Sequence, residues 1–302
     1  MNDAHCHFFS SPFFAALGRQ LKDADQGSPH ATALAKLGWD PPGTAEALAD
    51  RWVAELDRGH VARAALIASI PGDAGSVATA VARHPGRLVG LFMVDPTQPD
   101  AAENAAAALD AGGLRGVCLF PAMHRFAIHD DRVRRLFEVA AARPGTVVFV
   151  HCGVLTVGVR GKLGLPSPFD IRYGNPLDLH AVAAAFPMVP VIIPHFGAGL
   201  FREALMVADL CANVRLDTSS SNSWIKYDGY YSGLTLAAVF RQALSVVGAD
   251  RLLFGSDSSF FPRGWVSDIF KAQSSALDEI GATEDVREKI FGGNFDRLFP
   301  PS

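Results

Sequence analysis

Seven short apolar runs punctuate the chain, at residues 61–69, 88–94, 116–120, 146–151, 189–195, 214–217 and 252–257, and an eighth, at 3–7, opens it. Most are rich in Val, Ile, Leu or Phe, the composition of parallel strands buried on both faces. The stretches between them carry helix signals. Residues 44–59 offer Thr44 as N-cap and Glu46 in the first turn, where the macrodipole favours an acid. Residues 73–84 stop before Pro85, and the Ala-rich 100–111 stops at Gly112 and Gly113. Helical stretches at 130–143, 176–186, 199–211, 233–247 and 266–280 follow, and another at 284–299 packs at the end. Strand and helix alternate eight times, which predicts a parallel sheet with helices outside it and favours a closed (β/α)8 TIM barrel. The alternative, an open doubly wound sheet, lacks support because no GxGxxG follows the first strand. No linker, repeat or low-complexity tract divides the chain, so residues 1–302 read as one domain.

Three connections are long: 8–43, 153–175 with Arg160, Lys162, Arg172 and Tyr173, and 218–232 with Trp224, Lys226, Tyr227, Tyr230 and Tyr231. All three follow strands, so all belong to the C-terminal rim of a barrel, where barrel enzymes build their sites. Their length and aromatic content suit the walls of a pocket for a small molecule. The apolar stretch 10–17 is placed either to cover that pocket or to meet a second subunit, which makes a homodimer an expected assembly.

Composition narrows the function without naming it. With 302 residues, 49% of them hydrophobic, the chain can bury a large core. A net charge of −4, with no basic stripe, argues against nucleic acid as a partner. No apolar run approaches the ~18 residues of a membrane span. A first strand at residue 2 or 3 leaves no room for a leader, so a cytoplasmic location is expected. Cys6, Cys118, Cys152 and Cys211 show no CxxC spacing and read as reduced, small hydrophobic residues.

The chemistry lies at strand ends. His5 and His7 are two apart on the first strand and so share a face, together with Asp3. The fifth run ends at His151, the sixth at His195 and the eighth at Asp257. By alternation His151 shares a face with Phe149, His195 with Ile193, and Asp257 with Leu253. A barrel converges those ends on one point. Imidazoles with a carboxylate and an open position suit a catalytic divalent ion, Zn²⁺ first, with Mn²⁺, Fe²⁺, Co²⁺ and Ni²⁺ as alternatives. Arg160, Arg172 and Arg202 follow strands 5 and 6 and are candidates for an acid group on the substrate, while Trp224 and Tyr227 are candidates for the pocket wall. Of the remaining histidines His124, which follows strand 4 on the active face, is the one to watch.

These motifs, in this order, resemble the amidohydrolase superfamily, and within it the amidohydrolase-related branch that includes aminocarboxymuconate-semialdehyde decarboxylase. The resemblance rests on Asp-Ala-His-Cys-His at 3–7, Val-His-Cys-Gly at 150–153, Pro-His-Phe-Gly-Ala-Gly at 194–199, Leu-Asp-Thr-Ser-Ser at 216–220, Leu-Phe-Gly-Ser-Asp at 253–257 and Gly-Gly-Asn-Phe-Asp-Arg-Leu-Phe at 292–299. It implies that His5, His7, His151 and Asp257 hold one metal ion, and that His195 and Asp257 handle the proton beside it. Binuclear members carry a bridging lysine on strand 4, where this chain has Gly-Val-Cys-Leu-Phe at 116–120, so one ion is expected. The implied function is hydrolysis of a small amide, ester or lactone through a metal-activated water. The alternatives are metal-dependent, non-oxidative decarboxylation of an unsaturated or aromatic acid, and a metal-independent lactonase.

Overall fold

The computed structural model describes residues 1–22, 27–219, 224–227 and 233–301. Eight parallel strands pair in sequence order: β1 Asn2–Phe8, β2 Arg63–Ala68, β3 Leu88–Val94, β4 Leu114–Leu119, β5 Val147–Val150, β6 Val191–Ile193, β7 Val214–Asp217 and β8 Leu252–Leu253. Past the short β8, the barrel closes through main-chain bonds Ala4 N–H to Phe254 O, Asp257 N–H to His5 O and His7 N–H to Ser258 O, at 2.7–2.9 Å. The expected TIM barrel is therefore the architecture found.

Alternation sorts the strand side chains into two cores. Ile67, Leu91, Cys118, Val147, Phe149, Ile192 and Leu253 fill the interior. Leu66, Phe92, Val117, Val148, Val191 and Ile193 face the surrounding helices, where Trp52 and Phe137 are fully buried. The inward positions of strand 4 and its end are held by Cys118 and Phe120, neither of them a lysine. Phe295, Leu298 and Phe299 close the N-terminal end of the interior. The expected helix over 284–299 is broken into Glu284–Glu288 and Asn294–Leu298 by a π-helical turn at Lys289–Gly293, where two glycines weaken the helix.

Helix capping follows the sequence closely. The Thr44 hydroxyl accepts from Ala47 N at 3.2 Å at the start of Ala45–Arg58, and Asp130 accepts from Arg132 N at 2.8 Å at the start of Asp131–Ala141. The expected helix at 176–186 begins as a 3-10 turn, Pro176–Leu179, before His180–Ala185.

The connection after β1 is more ordered than a long loop. It holds two helices, Ser11–Gly18 and Pro29–Leu37, whose Phe13, Phe14, Leu17 and Leu34 form a third apolar cluster with Val159 and Leu163 of the β5 connection. Two rim loops are thus bonded to each other by hydrophobic burial, over the mouth of the barrel. Among the described residues no helix is long and apolar enough to cross a membrane.

Candidate active site

One nitrogen of His5, one of His7 and one oxygen of Asp257 lie within 4.8 Å of one another at the C-terminal rim. The two Nε2 atoms are 3.3 Å apart, and Asp257 Oδ1 is 3.1 Å from His7 Nε2 and 3.8 Å from His5 Nε2. Two nitrogens bound at ~2.0–2.1 Å to one tetrahedral cation stand about 3.3 Å apart.

The strands do not bring these groups together by simple alternation. Between Asp3 and Cys6 the β1–β2 register slips, so Ala4 and His5 both point inward. Asp3 therefore does not share the face of His5 and His7. Its carboxylate lies outside, accepting from Trp265 Nε1 at 2.7 Å, from Ser256 N at 3.1 Å and from His5 N at 2.9 Å. Burial holds its pKa above the ordinary value, against those hydrogen bonds. Asp3 is thus a tie between β1 and the segment after β8.

His195 also departs from the expected pattern. Val191 and Ile193 face the helices, and β6 ends before His195. A turn with left-handed backbone at His195 (φ 57°) and Phe196 (φ 52°) swings the imidazole into the barrel. There it stacks on His5 at a centroid distance of 5.0 Å and meets the edge of His151 at 5.2 Å. Asp257 is left-handed as well (φ 57°). Such conformations cost of order 1–3 kcal/mol in a side-chain-bearing residue and persist where the surroundings over-determine them. Two glycines make the convergence possible. A Cβ on Gly255 would lie 2.8 Å from Asp217 Oδ1 and 2.9 Å from the Cβ atoms of His5 and Ser219; one on Gly153 would lie 2.1 Å from Gly197 O.

Three of the imidazoles, those of His5, His7 and His195, are held by the far nitrogen. His5 Nδ1–H donates to Asp217 Oδ2 at 2.6 Å. Ser69 gives its own proton to Ile67 O at 3.0 Å and so accepts from His7 Nδ1–H at 2.8 Å. His195 Nδ1–H donates to the Ser219 carbonyl at 2.9 Å. In each neutral ring Nε2 is then bare. His5 Nε2 and His7 Nε2 consequently face each other with at most one proton to share, an arrangement that a divalent cation completes.

The electrostatics agree. Burial depresses His5, but the Asp217 carboxylate, joined by Asp257 and Asp3, more than offsets it and leaves the ring above its ordinary pKa. Burial holds His7 and His195 below theirs and His151 well below. Burial alone would raise Asp257; its hydrogen bond to His7 and the neighbouring imidazoles hold it far below the usual carboxylate range. His151 is buried, stacks on Phe120 at 5.4 Å and leaves Nδ1 without a hydrogen-bond partner among the described residues. It stands beside the three-atom group, not in it.

A cavity of about 680 Å³ opens on this cluster. Phe9, Phe13, Trp39, Phe120, Phe169 and Phe260 wall it, and His7, His151, His195 and Asp257 lie at its floor. The helix at Ser11–Gly18 contributes to the wall, so the apolar stretch 10–17 covers the pocket. Of the residues expected to bind substrate, Arg160 lines the cavity, but its guanidinium donates to Pro166 O at 2.6 and 2.9 Å and to Gln20 Oε1 at 2.9 Å. Arg172 does not line it: the side chain is 86% exposed and paired with Asp170 at 2.6 Å. Arg202, also exposed, pairs with Glu203. Trp224 is buried against Phe201, and Tyr227 is 50% exposed, both outside the cavity lining because the chain carries them to the outer side of the rim. Tyr230 and Tyr231 lie outside the described residues. His124 is partly buried behind the lining with its Nδ1 unpaired.

Residue-level reading of the sequence missed the groups that orient the rim histidines. Asp217 and Ser69 each end a strand run and could have been found by the rule applied to His151 and His195. Arg263, which also lines the cavity, follows strand 8 as the named arginines follow strands 5 and 6, and was passed over.

Known proteins match this arrangement at two levels. Among curated sequences, Protein fluG of Emericella nidulans is 29% identical over 93 residues, 31% of this chain; the chain spans only 10% of that longer protein. Among solved structures, 5-carboxyvanillate decarboxylase of Novosphingobium aromaticivorans, complexed with manganese and 4-hydroxy-3-methoxy-5-nitrobenzoic acid, superposes with a TM-score of 0.63 at 15% identity, covering 99% of this chain and 96% of that one. A probable 2-pyrone-4,6-dicarboxylic acid hydrolase of Acinetobacter baumannii, with citric acid bound, does so at 0.59 and 16% identity, covering 99% of each. At these identities the likeness is one of fold. The family profile described as Amidohydrolase runs from residue 2 to residue 300, across the barrel and every rim histidine above, and the chain belongs to that family.

Proposed function

We propose that the chain is a metal-dependent hydrolase of a small amide, ester or lactone. One divalent cation, Zn²⁺ by the nitrogen-rich donor set, would be held by His5 Nε2, His7 Nε2 and Asp257 Oδ1. The observation that carries the reading is the pair of Nε2 atoms at 3.3 Å whose Nδ1 protons are already committed to Asp217 and Ser69. His151 stands beside this group, its buried Nδ1 without a hydrogen-bond partner among the described residues, and would join the ligand set only if its side chain moved toward the other three. When bound, such a cation acts as a Lewis acid and brings the pKa of water down to about 7.

The protein's own groups supply the rest. His195 is neutral near pH 7 because burial disfavours its charged form, and its Nε2 is bare because Nδ1 is tied to Ser219 O. It takes a proton from the attacking water and returns it to the leaving group, a role typically worth ~10²–10⁴-fold. Asp257, held ionised by the neighbouring imidazoles, faces the same volume and orients the same water. The aromatic walls exclude bulk solvent, which strengthens these interactions.

Metal analysis of the purified protein together with a substrate screen tests the reading. About one ion per chain is expected, and His7→Ala removes both the ion and the hydrolysis. Undiminished turnover after exhaustive chelation refutes it. Decarboxylation of an aromatic acid is the second reading, favoured by the six aromatic side chains around the cavity; CO₂ release without uptake of water distinguishes it.

A further inference from the structure

Three cations reach the cavity, and they are not equivalent. Arg160 has committed the Nε–Nη2 edge of its guanidinium to the Pro166 carbonyl and Gln20. Lys162 lies over the Trp39 ring, with Nζ 5.7 Å from its centroid. Arg263 is different. It comes from the connection after β8, six residues beyond Asp257, and only Nη2 is engaged, with the Asp257 carbonyl at 3.3 Å and Ser259 Oγ at 3.0 Å. Its Nε–H and Nη1 groups find no acceptor, and no carboxylate pairs with it among the described residues. The guanidinium lies 4.7 Å above the Phe260 ring, which in turn stacks on Trp39 at 3.6 Å and 7°. That stack fixes the plane of the fork at the solvent-facing edge of the cavity. A guanidinium seated on an aromatic ring with an open edge is matched by a planar oxyanion, which it takes with two parallel N–H···O bonds.

We propose that Arg263 is a specificity-determining residue that grips a carboxylate of the substrate beside the His5–His7–Asp257 group, with the substrate's flat body against the aromatic wall. The proposal rests on the function proposed above and narrows its substrate to a small organic acid whose carboxylate stands apart from the bond that is cleaved. The anchor to the Asp257 carbonyl ties the grip to the reacting centre. A substrate seated by its carboxylate therefore presents its neighbouring carbonyl or carboxyl carbon to the rim histidines.

Benzoate and its neutral isostere benzamide are suitable probes, titrated calorimetrically into the full chain. Native protein, and a His7→Ala variant that lacks the proposed cation, are both expected to bind benzoate about 10- to 100-fold more tightly than benzamide, the range of charge-assisted hydrogen bonds. Arg263→Gln erases that preference, and Arg263→Lys, which keeps the charge but not the fork, retains part of it and guards against a folding defect. Equal affinity for the two probes in native protein, absence of benzoate binding, or a preference that survives Arg263→Gln overturns the assignment. A preference present in native protein and lost in His7→Ala overturns it too, because the cation and not Arg263 then holds the carboxylate. Metal content, measured separately, fails only if the hydrolase reading fails.

Discussion

Asp217→Asn is the sharpest perturbation of the site, because it changes one proton position and almost no shape. Asp217 Oδ2 accepts from His5 Nδ1–H at 2.6 Å, and Oδ1 accepts from Ser219 N–H at 2.5 Å. An asparagine must keep its oxygen toward Ser219, since that backbone donor is buried. Its NH₂ then faces His5, which can only answer with a bare Nδ1. The ring proton moves to Nε2, the atom proposed to ligate. Loss of a carboxylate partner behind a ligating histidine ordinarily costs 10–100-fold in metal affinity, or about 1.4–2.7 kcal/mol. Restoring the ligating tautomer breaks a further buried hydrogen bond, at about 1–3 kcal/mol. Together these predict that Asp217→Asn weakens Zn²⁺ binding by roughly 10²–10⁴-fold, more than Asp217→Ala, which loses only the first term. Competition against a chromophoric chelator measures both affinities, with near-UV circular dichroism as the check on folding. If the asparagine variant binds as tightly as native protein, or more tightly than the alanine variant, the tautomer argument is wrong.

Ser69→Ala frees His7 Nδ1 without disturbing a charge, so metal affinity should fall about 10-fold by the same competition assay, at the low end of such effects. Gly255→Ala drives a methyl against Asp217, His5 and Ser219; the variant is expected to lose bound metal and to melt several degrees lower in calorimetry. Asp257→Gly should be more stable than Asp257→Ala by roughly 1 kcal/mol in urea denaturation, because both delete the carboxylate but only glycine relieves the positive φ. Asp130 is held down at about 2 by hydrogen bonds to the Arg132 side chain and backbone. Its folded pKa is depressed, so its contribution is complete above about 4 and is lost as pH falls toward 2; Asp130→Ala should cost about 1 kcal/mol at pH 7 and nearly nothing at pH 2.

The barrel was legible because eight strands buried on both faces leave continuous apolar runs, and their order and number survive errors of a residue or two at each end. The site was legible where period 2 holds: His7, His151 and the interior positions Phe149 and Leu253 fall as alternation requires. It failed where the backbone leaves the strand. The register slip before Cys6 turned Asp3 outward, and the left-handed turn after Ile193 turned His195 inward. Neither follows from local composition, since each is imposed by the neighbours that the segment meets on closing the barrel. The arginines could not be ranked from sequence either. Arg172 and Arg263 both follow strands on the active rim, and only the position of Asp170 next to one and Phe260 beneath the other decides which is spent on the surface and which faces the cavity.

The orienting partners come from elements remote in sequence, and that dispersion has a physical consequence. Asp217 ends β7, Ser69 follows β2, and the Ser219 carbonyl follows β7, so the tautomers of His5, His7 and His195 are each set by a different strand unit and not within their own segment. A ring proton is therefore reset only when two strand ends part. The mobile chemistry of proton exchange is thus confined to the three Nε2 atoms, all directed at one volume, while the Nδ1 atoms are fixed by the most stable part of the fold. This is the arrangement electrostatic preorganisation requires: the reorganisation is completed during folding, and a ligand entering the cavity meets lone pairs already aimed.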